Sequence, residues 1–166
     1  MIFQRLFISI VCLLVLTTGA MAAEKEEARF QVIENVGVLD TQTTLMWATE
    51  DNGKDINWED AKKYCESYNA GDHTDWRQPT QKELTTLFEP GSINSKGYKI
   101  TDHIKLTDCC PWASDWSMRS AGAFSFKSGR KPWGYQADSK QLRALPVRDT
   151  KPRAPRDIVP KMQHNM

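Results

Sequence analysis

The run from Asp75 to Leu84, Asp-Trp-Arg-Gln-Pro-Thr-Gln-Lys-Glu-Leu, restricts what this chain can fold into more than any other stretch. Pro79 interrupts regular structure, Thr80 follows it, and Glu83 stands three residues further on. A threonine at a helix start accepts from the third helical N–H, and a glutamate at that third position reaches back to the cap N–H. The pair predicts a helix beginning directly after Thr80. Leu84, Leu87 and Phe88 form its inner stripe, and Pro90-Gly91 ends it. Ahead of it, Trp76 is large enough to plug a core between helix and sheet. Arg77 can fork onto a carboxylate or onto backbone carbonyls. Asp75, Trp76, Arg77, Pro79, Thr80 and Glu83 are therefore read as a structural motif.

Around this helix most patterns are short and strand-like. Phe30 to Ile33 and Val36 to Asp40 alternate weakly, Thr41 to Thr44 turns the chain, and Leu45 to Ala48 is a buried strand candidate. Asn57 caps an earlier helix from Trp58 to about Asn69, with Ala61, Tyr64, Cys65 and Tyr68 on one face and Gly71 as its stop. Gly91 to Cys110 reads as a long irregular loop, a kind of segment that often carries function. Trp112 to Trp116, Ala123 to Phe126, Trp133 to Gln136 and Leu142 to Val147 read as strands, with Ser128 to Lys131 closing a hairpin. Pro146 puts the last of them near an edge or bulge. Strands, two helices, a long loop and antiparallel strands make an α+β domain.

The 166 residues suit one domain. Residues 1–22 read as a secretory signal: Arg5 is the lone early charge, Leu6 to Leu16 is apolar but too short to span a bilayer, and Ala20-Met21-Ala22 matches a cleavage site. The expectation is a periplasmic or secreted protein with no stable membrane span after cleavage. Residues 23–149 hold the domain, and residues 150–166 a basic tail interrupted by Pro152, Pro155 and Pro160. In total 22 Lys+Arg nearly cancel 21 Asp+Glu, which argues against a nucleic-acid partner. Locally they do not cancel. Ala23 to Ser95 holds seven basic and fifteen acidic residues, and Lys96 to Met166 fourteen basic and six acidic. Two readings follow: opposite halves attract across one fold, or the basic half meets a polyanion.

Leu45-Met46-Trp47, the helix carrying Tyr64-Cys65, the run from Gly71 through Leu84, Trp112-Ala113-Ser114 and the strand from Arg143 to Arg148 together resemble the Lcl C-terminal domain-like family, over about residues 30–149. The resemblance implies a C-type-lectin-like fold, with two helices packed on short antiparallel strands and a long irregular loop. It also implies an extracytoplasmic domain, often a binding module. In the adhesin that names the family the domain binds sulfated glycosaminoglycans, an activity that does not transfer automatically because function sits in sites rather than folds. Three positions depart from the family pattern. Thr44 stands where Gly is usual, Gln78 where Leu is usual, and Ala144 where many members have Cys. In many relatives the helix cysteine pairs with one in the last strand. With that partner absent, Cys65 is expected to pair with Cys109 or Cys110, a Cys109–Cys110 bond being the rarer alternative.

Candidate ligand-binding residues lie on the loop and hairpin. Lys96, Lys99, Lys105, Arg119, Lys127, Arg130 and Lys131 suit an anionic glycan, and Trp112, Trp116 and Trp133 could stack on a sugar ring. Asp102, Asp108 and Asp115 lack a diagnostic calcium spacing, and His73 and His103 lack further zinc ligands. No metal, cofactor or catalytic residue is expected. An envelope protein, docked through the loop or tail, is the alternative partner. An oxidase of the formylglycine-generating kind would rest on Cys109-Cys110 alone, and adjacent cysteines before Pro111 do not reproduce a spaced redox or copper pair. The expectation is a binding module and not an enzyme.

Overall fold

The computed structural model describes residues 28–118, 120–136 and 142–151. The expected signal segment, Arg119 and nearly all of the basic tail lie outside them. β1 (Phe30–Ile33), β2 (Gly37–Asp40) and β3 (Leu45–Trp47) run antiparallel in chain order, and β7 (Val147–Asp149) closes the sheet against β3. The register aligns Val38 with Trp47 and Trp47 with Val147. All three are fully buried, so one row across the sheet forms the floor of the main core. At the tight β2–β3 turn, Thr44 adopts a left-handed φ of 57°. A β-branched residue is strained there, whereas the glycine usual in the family is not.

α1 (Trp58–Ser67) begins as expected: the Asn57 side chain accepts from the Asp60 N–H at 2.8 Å. It ends before the expected stop. Tyr68 is already extended and sets its ring edge-on against Trp76 at 4.9 Å, while Gly71 takes its positive φ inside a separate turn, Ala70–Asp72. Aromatic packing thus ends α1, not the glycine. α2 (Gln81–Thr86) has both halves of its capping box: Thr80 Oγ1 accepts from Glu83 N, and Glu83 accepts from Thr80 N. Leu87 and Phe88 then bond back three residues, so α2 stops short of Pro90.

Gly91 to Cys110 holds no helix or named strand, as expected, but it is not a free excursion. Tyr98, Ile100, Ile104 and Leu106 are buried against Leu84, Leu87, Phe124, Phe126 and Leu145. The buried Asp51 carboxylate pins the same loop by accepting from the Thr107 N–H and hydroxyl at 2.6 and 2.8 Å. β4 (Trp112–Ser117), β5 (Ser120–Ala123) and β6 (Trp133–Gln136) form the second antiparallel sheet. β5 lies earlier than the sequence suggested. Phe124 and Phe126 donate their N–H groups to the carbonyls of Pro111 and Cys109, so the loop takes them out of the ladder and their rings enter the core. Leu142 and Arg143 make only isolated bridges, and the last strand begins at Val147.

A second core joins α1 to β4 and β5 through Ala61, Cys65, Trp112, Ala121, Ala123, Leu142 and Ala144. Here the expected pairing of Cys65 is corrected. Cys109 bonds to Cys110, and Cys65 is a buried free thiol. Ala144, where many relatives have Cys, packs in the same core as Cys65 and offers it no sulfur. Burial also pushes the Cys65 thiol up, with Glu66 adding to it, which withholds the thiolate needed to attack a disulfide.

Candidate functional site

The Asp75–Leu84 motif forms a bracket between α2 and β7. Arg77 donates two hydrogen bonds to Glu83 at 2.7 and 2.9 Å and reaches Asp149 at 3.0 Å. Burial opposes the Arg77 charge, but the carboxylates of Glu83 and Asp149 hold its pKa above the usual value. Arg148 donates to Asp75 at 2.8 Å and keeps that carboxyl below its ordinary range against a partial desolvation penalty. Trp76 is 2% exposed and donates its indole N–H to the Ala70 carbonyl. These residues hold one another and offer little to a ligand.

The loop and hairpin are organised differently. Lys99 donates its backbone N–H to the Phe126 carbonyl, which sets Lys99 beside Lys127. The Lys99 ammonium lies 5.8 Å from the Phe88 ring and the Lys127 ammonium 5.7 Å from the Tyr98 ring. Gly129, at φ 73°, lies so close to Phe88 that a Cβ would sit 2.7 Å from the ring, so the hairpin turn that leads into Arg130 and Lys131 rests on the aromatic shelf of Phe88 and Tyr98. The Asn94 side chain accepts from the Lys96 and Tyr98 N–H groups, which holds Lys96 in the turn that leads to Tyr98. Among the described residues, Lys96, Lys99, Lys127, Arg130 and Lys131 form no ion pair with a carboxylate. By contrast, Arg29 holds Asp40, Arg77 holds Glu83, Arg143 holds Asp55 and Arg148 holds Asp75. Two of these, Arg143 with Asp55 and Arg148 with Asp75, join the basic half of the chain to the acidic half.

Two expected ligand residues stand apart from this patch. Trp112 is fully buried and donates its indole N–H to the Ile56 carbonyl at 2.8 Å, so it is corrected to a core residue. Its place between α1 and β5 requires a large apolar ring. Lys105 bonds through its backbone to Thr49 and sits beside Glu50, away from the hairpin. Trp116 and Trp133 are 53% and 50% exposed. Trp116 stacks on Trp58 with ring centres 6.1 Å apart, and Trp133 flanks Gly122 near Gln81. Arg119 lies outside the described residues.

A cleft of about 260 Å³ opens between α1 and the start of β4, with Trp58, Gln78, Thr80 and Ser114 in its wall. Sequence reading did not single it out. Its one signal was Gln78, a polar side chain where the family pattern has Leu.

Two antiparallel sheets, two short helices and a loop bonded into the core define a small α+β domain that presents a cationic shelf. The chain belongs to the Lcl C-terminal domain family, whose model matches residues 37–148. No curated protein matches it.

Proposed function

We propose that the protein is an extracytoplasmic binding module of C-type-lectin-like architecture, exported by residues 1–22, that recognises an anionic glycan rather than catalysing a reaction. The observation that carries this reading is the group formed by Lys96, Lys99, Lys127, Arg130 and Lys131, gathered by loop and hairpin without carboxylate partners among the described residues. Cations left unpaired on one shelf keep their field for an external anion. Sulfate or carboxylate groups spaced along a polysaccharide match several exposed ammonium and guanidinium groups at once. Trp133, half-exposed just after Lys131, adds a flat surface for a sugar ring.

Such contacts are screened over about 10 Å at 0.1 M salt, so retention on immobilised heparin should fall steeply as salt rises. The test replaces Lys127, Arg130 and Lys131 together with Gln and compares elution from heparin. Elution of the variant at clearly lower salt supports the reading. Equal elution of the two proteins overturns it.

A further inference from the structure

The cleft between α1 and β4 differs from the cationic shelf in every respect that selects a ligand. Its charged groups are already paired: Arg77 is held by Glu83 and Asp149, and Lys62 at the rim lies 3.9 Å from Glu66. One wall is the Trp58 ring, fixed by its indole N–H on the Ala113 carbonyl at 2.7 Å and backed by Trp116 at an interplanar angle of 23°. Ser114 and Thr80 add hydroxyl groups; Thr80 Oγ1 already accepts from Glu83, which leaves its own proton to donate. The decisive group is Gln78. It is 4% exposed, and neither its side-chain amide oxygen nor its NH2 group has a partner among the described residues. A buried amide in that state is costly, and the cost is relieved by a partner that supplies one acceptor and one donor together.

We propose that this cleft binds a neutral 2-acetamido-pyranose unit. An acetamido group carries a carbonyl for the Gln78 NH2 and an N–H for the Gln78 oxygen. Its methyl group and the C–H face of the sugar ring suit the Trp58 indole, and ring hydroxyls meet Ser114 and Thr80. The polar atoms of Gln78 are screened from solvent, so they meet the ligand after a turn about the last torsions of that side chain. The paired charges explain why a neutral ligand is selected here and an anion is not. This site is independent of the anionic-glycan reading, because none of the five shelf cations lines it.

The test is a ¹H–¹⁵N NMR titration of the folded protein with N-acetylglucosamine, glucose and glucuronate, following the Gln78 side-chain NH2 and the Trp58 indole N–H. A single sugar at one such cleft should bind with a Kd of about 1 mM, within reach of titration. N-acetylglucosamine should shift both signals, with glucose and glucuronate binding at least tenfold more weakly. Gln78→Leu places an apolar side chain at a buried position and should stay folded. It should lose the N-acetylglucosamine response at least tenfold while keeping its heparin elution, which separates failure here from failure of the anionic-glycan reading. Absence of shifts, unchanged binding in Gln78→Leu, or equal binding of glucose would overturn the assignment.

Discussion

The Asp75–Leu84 bracket and the stretch from Gly91 to Lys131 use charge in opposite ways. In the bracket oppositely charged side chains hold one another: Arg77 and Glu83 are joined across the start of α2, and Asp75 is joined to Arg148. In the loop and hairpin, buried hydrophobic residues do the anchoring and the cations above them are unpaired among the described residues. The lesson is that stability and recognition are divided by depth and not by segment. The same loop supplies Ile100 and Ile104 to the core and Lys96 and Lys99 to the surface.

Substitutions can break or sharpen this division. The largest effect is expected beneath the shelf. Ile104→Ala removes a fully buried side chain and should cost about 2–5 kcal/mol in urea unfolding. A cost near zero would mean that the loop is not part of the core. In the bracket, Glu83→Ala removes the Arg77 partner and half the capping box, and should cost about 2 kcal/mol by the same measurement. Replacing Lys127, Arg130 and Lys131 together with Gln should change stability by no more than about 0.5 kcal/mol per site, since all three are exposed. A large loss there would contradict the division.

A pH series probes another buried pair. Burial works to raise the Asp40 carboxyl, but hydrogen bonds from Arg29 and neighbouring groups override it and leave its pKa below the usual value. A carboxyl depressed on folding contributes stability that is present above the unfolded value of about 3.9 and is lost as pH falls through the lower folded value. Stability should therefore fall below about pH 4, and Asp40→Asn should flatten that part of the curve. One substitution should give a gain: Thr44→Gly relieves a left-handed φ on a β-branched residue and should raise stability by about 1 kcal/mol. Urea midpoints read both.

What could be read in advance follows the range of the interactions. The α2 start was legible because Thr80 and Glu83 are three residues apart and bond each other's backbone. The α1 start was legible for the same reason, through Asn57 and Asp60. Its end was not, because Tyr68 leaves the helix to meet Trp76. Trp112 and Trp116 lie in one short strand with similar local patterns, yet one is enclosed and the other half-exposed, because Trp112 packs in the core with Ala61, Cys65 and Ala123, whereas Trp116 stacks on Trp58 at the first residue of α1. The cationic half of the chain was visible as a count, but which cations gather was not. Lys105 is drawn to Thr49 while Lys99 is drawn to Phe126, by backbone bonds that no local pattern announces.

By itself the sequence determined the family, the α+β class, the two caps and the aromatic bracket, since these depend on residues within a few positions of one another. Tertiary structure alone decided that Cys109 joins Cys110, that the irregular loop is half core, and that Gln78 is buried without a partner beside a neutral cleft. Each of these depends on what distant segments place next to a side chain. Burial, which sets the cost of an unpaired polar group and the reactivity of a thiol, arises only when the chain closes on itself.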